Sequence, residues 1–234
     1  VLHNTTTFKY WDEFMHWGFM CKESFRINAF YSEPESLLRV HKDYPPFSTI
    51  LEYLWCKVSA NYYNEPFTFR AMSTLVLSFI LPTLSNLNIN VKKDWFKGLF
   101  FVFLFLMVQV IGISDFFPTF ADSIYTDFLL GILCAYGIYL AFSSEEFDLF
   151  NIFSLSMISV ALITLKQMGL PFYILILFII IIRIKKPSIK QIIYFVILLI
   201  VLPLSFYVLW SKYITNLALD GQFNLSQIQI SSLL

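Results

Sequence analysis

The chain has 234 residues, of which 58% are hydrophobic, 19% aromatic and only 14% charged. Soluble domains carry about 25% charged residues, so this composition excludes an ordinary soluble domain and reads as an integral membrane protein. Lys+Arg and Asp+Glu balance at 16 each, which leaves no basic excess to serve nucleic acid.

Residues 1–45 are polar and aromatic, with no run long enough to span a bilayer, which takes about 20 apolar residues. Within them, Tyr10-Trp11-Asp12-Glu13-Phe14-Met15-His16-Trp17-Gly18 sets two carboxylates and a histidine among aromatic rings. The periodicity predicts an amphipathic helix from Asp12 to Ala29, with Phe14, Trp17, Cys21, Phe25 and Ala29 on one face. Ser32 to Ser36 breaks that helix, and a helical turn is expected over Glu35–Arg39. Lys42-Asp43-Tyr44-Pro45-Pro46 then opens a second helix, since proline is tolerated in a first turn. This second helix, Pro46 to Ala60, carries Glu52 and Lys57 and is too short to span. It is placed in the membrane interface, the alternative being a short span with a buried Glu52, a costly group in mid-bilayer.

Six transmembrane helices are predicted between residues 70 and 210. Arg70 heads the first, 71–87, whose Pro82 a membrane helix tolerates. The others are 98–113, 128–142 with Asp127 at its entrance, 149–165, 170–182 and 192–210. Residues 211–234 read as the start of a further polar loop, and the chain as a fragment of a longer one. Cytoplasmic loops collect Lys and Arg. Lys92, Lys93, Lys97, Arg183, Lys185, Lys186 and Lys190 fall in loops on one side, against Lys166 alone in the opposite short loops. The loops at 88–97 and 183–191 are therefore expected in the cytoplasm, and residues 1–69, Asp127 and Lys166 outside. Cys134 is most simply a packing residue, whereas Cys21 and Cys56 can in principle pair, though nothing in the sequence demands it.

On this topology Asp12, Glu13, Lys42, Asp43, Arg70, Asp122, Asp127 and Lys166 gather at the outer surface. Such a mixture suits transfer from a lipid phosphate: cations anchor the phosphate while a carboxylate deprotonates an attacking hydroxyl. Each residue also has a plainer reading. Asp12 and Asp127 are good helix N-caps, and Glu13 suits a helix dipole. Arg70 and Lys166 can snorkel at the bilayer edge. His16 packs as readily as it acts, and with no second histidine at helical spacing a metal site has little support. His3 and His41 stand too isolated to carry an argument.

Asp12-Glu13 with His16 and Gly18, followed by Asp43-Tyr44-Pro45-Pro46, resembles the first extracytoplasmic loop of the C-superfamily membrane glycosyltransferases. Protein O-mannosyltransferases and the lipid A aminoarabinose transferase belong to that superfamily. Glu65 to Arg70 resembles the family segment leading to an arginine at the head of a span. Tyr125-Thr126-Asp127-Phe128-Leu129-Leu130-Gly131 resembles its second acidic motif, and Leu165-Lys166-Gln167-Met168-Gly169 its lysine turn. The order is the family's, over most of residues 10 to 175. The histidine stands one residue further from the acidic pair than in the mannosyltransferases, and Tyr44 replaces the histidine before the prolines.

The resemblance implies an all-α polytopic membrane bundle with extracytoplasmic juxtamembrane helices, in a bacterial plasma membrane. Its activity would be inverting transfer of a sugar from a polyprenyl-phosphate donor to a hydroxyl of protein, lipid or wall glycan. Asp12, Glu13 and Asp127 are then the catalytic candidates, with Asp12 as general base. His16, Lys42, Asp43, Tyr44, Arg70, Asp122 and Lys166 are the candidates for substrate binding. No metal or other cofactor is implied. A transporter of lipid-linked sugars, or a non-catalytic scaffold of the same fold, are the competing readings.

Overall fold

The computed structural model describes residues 6–85, 123–144, 147–184 and 187–217. Among these, every regular element is a helix. A π-helical turn, Glu13–Trp17, leads into α1, Gly18–Ile27, and α2 is Phe47–Ser59. Helix α3 is Glu65–Ser85, α4 is Thr126–Ser143, α5 is Leu149–Leu165 and α6 is Gly169–Arg183. Helix α7 runs from Ile189 to Asn216 through a π-helical segment, Phe195–Val201. The predicted span 98–113, the loop 88–97 and Asp122 lie outside the described residues.

Helices α4, α5, α6 and α7 form the bundle, with α5 packed against the other three. The small N-terminal helices α1 and α2 pack on α3, and α3 on α4. Helices α4 and α7 are long and apolar enough to cross a membrane, whereas α5 and α6 are apolar but shorter. The outer surface of α6 and α7 is apolar, with Ile174, Phe178, Ile181, Ile189, Val201 and Leu209 all exposed. An apolar surface of this extent needs a partner, and lipid is the simplest.

Two hydroxyl groups hold the bundle at the irregular segment of α7. Just after the π-helical segment of α7 stands Pro203, which has no N–H to give to the carbonyls four and five residues before it, Leu199 and Leu198. Ser156 of α5 donates to Leu198 O at 2.5 Å, and Tyr173 of α6 donates to Leu199 O at 2.6 Å. At the other irregular joint, Lys166 to Gly169, the chain reverses against itself. A Cβ at Gly169 would stand 1.8 Å from Leu162 O, so only glycine lets α6 start this close to the last turns of α5.

Several sequence-based boundaries shift. Helix α3 begins five residues before Arg70, at Glu65 with Pro66 in its first turn, so Arg70 lies inside the helix rather than at its head. Asp127 is likewise inside the first turn of α4, whose N-cap is Tyr125, and therefore is not the cap. No helical turn forms over 35–39, where loop backbone is held by side-chain contacts instead. Residues 211–216 continue α7 and are not loop. The π-helical turn also changes the phase of the first helix. Gly18 N–H bonds to Glu13 O, one residue further back than in an α-helix, which brings Glu13 and His16 inward beside Trp17 and Cys21 and leaves Phe14 exposed; the helix stops at Ile27, where Asn28 turns left-handed, so the expected end at Ala29 falls beyond it.

Candidate functional site

Four separate segments meet at one end of the bundle: the π-helical turn before α1, the loop before α2, the start of α4, and the turn between α5 and α6. Glu13 makes the first junction. Its buried carboxylate accepts the N–H of Lys9 at 2.8 Å, of Tyr10 at 3.1 Å and of Ile124 at 3.1 Å. It thereby ties the first segment to the strand of chain entering α4. Glu13 is a clamp with its oxygens committed to amides, and the geometry gives it a positioning role. Its neighbour Asp12 is half-buried, and among the described residues no group donates a hydrogen bond to its carboxylate.

The loop before α2 is held almost strand by strand. Tyr31 donates its hydroxyl to Tyr44 O, and Ser32 donates to Lys42 O at 2.6 Å. Trp210 near the end of α7 donates its indole N–H to Asp43 O at 3.1 Å. Buried Glu23, paired with Arg26 at 2.7 Å, accepts Leu37 N–H at 2.7 Å and holds the earlier part of the same loop. The Arg26 guanidinium keeps the Glu23 carboxyl below its usual range. Lys42 belongs to this scaffolding: its ammonium donates to Glu33 O at 3.1 Å and Ser36 O at 3.3 Å. The sequence-based expectation that Lys42 holds a phosphate thus meets an ammonium already taken up by loop carbonyls.

What the scaffolding presents is a box of rings beside carboxylates. His16 and His41 lie with ring centroids 4.6 Å apart at a tilt of 58°, His16 and Trp17 are 4.8 Å apart, and Tyr44 lies 4.6 Å from His41 and 5.2 Å from Trp17. Burial first, and then the neighbouring His41, bring His16 down to about 4, against the opposing pull of Asp12. Burial lowers His41 as well, opposed by Asp43 and Asp12. Both imidazoles are therefore uncharged near neutral pH. Tyr44 is raised by burial and by the charges of Asp43, Asp12 and Asp127, which puts all three carboxylates around one phenol. Lys166 completes the group, paired with Asp127 at 2.6 Å and lying 5.8 Å from the Trp17 ring centre.

The structure thus brings together Asp12, His16, Asp43, Tyr44, Asp127 and Lys166 of the expected set. Arg70 stands over the Phe67 ring at 5.2 Å. His41, passed over in the sequence, is a central member. It adopts the left-handed backbone, φ 59°, that lets the loop turn and Tyr44 N–H bond back to its carbonyl at 3.2 Å. Its adjacency to Lys42-Asp43 was the available signal. Tyr125 joins on the other wall, 5.7 Å from Tyr10 and raised by burial and by Asp12. Among the described residues no group of three His, Cys, Asp or Glu side chains is arranged to hold a metal ion. A groove of about 320 Å³ between α1 and α2, lined by Ser24, Asn28, Phe30, Thr49, Ile50 and Tyr53, shares no residue with this cluster.

Chemically the cluster offers a partly shielded carboxylate with no bonded donor among the described residues, half-buried ring faces at His41 and Tyr44, and a cation held in place by a second carboxylate. Comparison with protein-family models, curated proteins and solved structures finds no match to this chain.

Proposed function

We propose that the protein is a membrane glycosyltransferase that moves a sugar from a polyprenyl-phosphate donor to an acceptor hydroxyl at the extracytoplasmic face. The observation that carries this reading is the meeting of Asp12, the His41–Tyr44 loop, Asp127 and Lys166 at one end of an apolar bundle. A single polar constellation at a bilayer surface is what a lipid-phosphate donor and a water-borne acceptor require. The resemblance of the same segments to C-superfamily transferases supports it.

In this reading Asp12 takes the proton of the acceptor hydroxyl as its oxygen attacks the anomeric carbon. The bond from that carbon to the phosphate oxygen breaks, and polyprenyl phosphate leaves with the electron pair. Lys166 meets the negative charge that grows on the phosphate. Asp127 aims that ammonium through their ion pair, and Glu13 sets Asp12 against the α4 entrance. The half-buried His41 and Tyr44 rings, backed by buried His16 and Trp17, offer the sugar a wall without a competing charge.

Helix α2 fits an interfacial position. Its one acidic group, Glu52, is turned into the protein, and Ile50, Leu54 and Val58 form an exposed apolar ridge one turn apart. The carboxyl is thus packed inside, and the outward face is one that suits lipid.

Membranes carrying the full-length protein should transfer radiolabelled sugar from at least one polyprenyl-phosphate hexose or pentose into lipid, protein or glycan. Transfer no higher than in membranes lacking the protein, across the whole donor panel, would overturn the proposal.

A further inference from the structure

A second group of reactive side chains lies between α1, α2 and α3, apart from the cluster of Asp12. Cys21 of α1 and Cys56 of α2 are both fully buried and share one small core with Phe67 of α3. Phe25, Tyr53, Trp55 and Tyr63 close around them. The two thiols are near enough that each alters the other's proton affinity: the pair raises Cys21, where burial is the larger cause, and lowers Cys56, which Asn64 N–H also favours as thiolate. One helical turn before Cys56 stands Glu52, fully buried, whose Oε2 has no hydrogen-bond partner among the described residues. Apolar cores do not need a carboxyl, and this one sits where a thiol must give up a proton.

We propose that Cys21 and Cys56 are a disulfide in the mature protein, joining α1 to α2. The inference rests on the proposed orientation, which puts both helices in the extracytoplasmic compartment, where thiols oxidise. The oxidant is the disulfide of a thiol–disulfide oxidoreductase. Cys56 as thiolate attacks one of its sulfurs, forming a mixed disulfide and releasing the other sulfur. Cys21 then attacks the Cys56 sulfur, the mixed bond breaks, and the oxidant leaves as a dithiol carrying both electrons and the two protons given up by the cysteines. The exchange precedes the packing of α3, since Phe67 covers the pair in the folded chain.

The bridge would close into one loop the segment that carries His41, Asp43 and Tyr44, so it restrains one wall of the proposed site. Loop closure of this kind stabilises chiefly by restricting the unfolded chain.

The test uses full-length protein taken from membranes without reductant, denatured in N-ethylmaleimide and mapped by mass spectrometry. A linked pair of peptides bearing Cys21 and Cys56, with Cys134 alkylated, is the expected result. Both cysteines recovered as maleimide adducts would overturn the bridge. Orientation is read separately, by labelling exposed Lys22 in intact cells with an amine reagent that cannot cross the membrane. Labelled Lys22 with free thiols overturns the bridge and leaves the orientation standing; unlabelled Lys22 with free thiols overturns both. Reduction should lower the melting temperature by roughly 4–16 °C, and the Cys21→Ala/Cys56→Ala variant should show no response to reductant. An equal response in that variant would count against the bridge.

Discussion

His16 is 6% exposed, packed between the tilted rings of Trp17 and His41, and brought from 6.5 down to about 4 by burial and by His41. Between those two values the unfolded chain binds the proton that the folded chain refuses, so stability rises with pH across the window. The folded state should therefore weaken as pH falls from about 6.5 to about 4 and change little from this group below that. Thermal unfolding in detergent from pH 7 downward should show this contribution as the difference between the unaltered protein and His16→Gln, since His41 and Glu23 add to the slope in both and Glu52, raised by burial, opposes it in both. An unchanged slope in the variant would contradict the placement of His16. Glu13 makes a second prediction at this scale. Glu13→Gln keeps the shape but turns an amide group toward backbone N–H donors, leaving at least one buried amide unmet. A loss of about 1–3 kcal/mol in unfolding free energy is expected, and denaturant titration measures it; a neutral substitution would show the clamp to be ornamental. Asp12 and Glu13 were legible as a pair of interest, but nothing in their spacing tells which carboxylate turns inward. That depends on Ile124, 111 positions along the chain, whose amide Glu13 accepts.

Helix α7 is continuous only because other helices repair it. Tyr173→Phe removes the hydroxyl that serves Leu199 O and leaves that carbonyl buried, at a cost of about 1–3 kcal/mol. Ser156→Ala does the same to Leu198 O. The two carbonyls are adjacent and share one irregular segment, so the effects should not add. A double variant that costs the full sum of the singles would show the two repairs to be independent. Gly169→Ala should be worse than either, since its Cβ would meet backbone rather than a yielding side chain. The apolar elements were the most legible: 149–165 is predicted and found residue for residue. Helices whose ends rest on tertiary contacts were less so. Arg70 read as a boundary because charge interrupts hydropathy, yet α3 starts earlier, where Glu65 accepts Phe8 N–H at 3.0 Å. Pro203 was a cue to the irregular segment of α7, whereas the π-helical turn at Glu13–Trp17 has none. That turn follows from packing that fixes the residues on both sides of it, as the inward turn of Glu13 and His16 illustrates.

The molecule separates its polar groups by end. Asp127, Lys166 and the Trp210–Asp43 contact mark one end of the bundle. Arg183, which donates to Ser144 O at 3.3 Å, and Gln191, which donates to Phe147 O at 3.3 Å, mark the other. This opposition agrees with the sequence-based assignment of Arg183 and Lys190 to the face opposite Asp12. With the exposed positions replaced one at a time, Arg39→Cys should react with an impermeant thiol reagent in intact cells and Lys190→Cys should not. The reverse pattern would move the cluster to the cytoplasm and end the transferase reading. Which residues gather was legible in part, because the alternation of apolar runs and loops put Asp12, Asp43, Asp127 and Lys166 on one side. The fates of Lys42, His41 and Glu52 were not, because each is decided by a neighbouring segment rather than by its own surroundings in sequence.

The central claim is that Asp12 is the base. Asp12→Asn keeps the side chain's size but cannot accept a proton, so transfer at saturating donor should fall by about 10²–10⁴-fold. Donor affinity should stay near that of the unaltered protein, in contrast to Lys166→Ala, which should weaken it by removing a charge-assisted contact to the phosphate. The deciding measurement is the turnover rate of Asp12→Asn in the polyprenyl-phosphate sugar assay, taken at saturating donor with protein level and donor binding matched. A fall of at least about 10²-fold at unchanged donor affinity is the expected result, and turnover near that of the unaltered protein would contradict it.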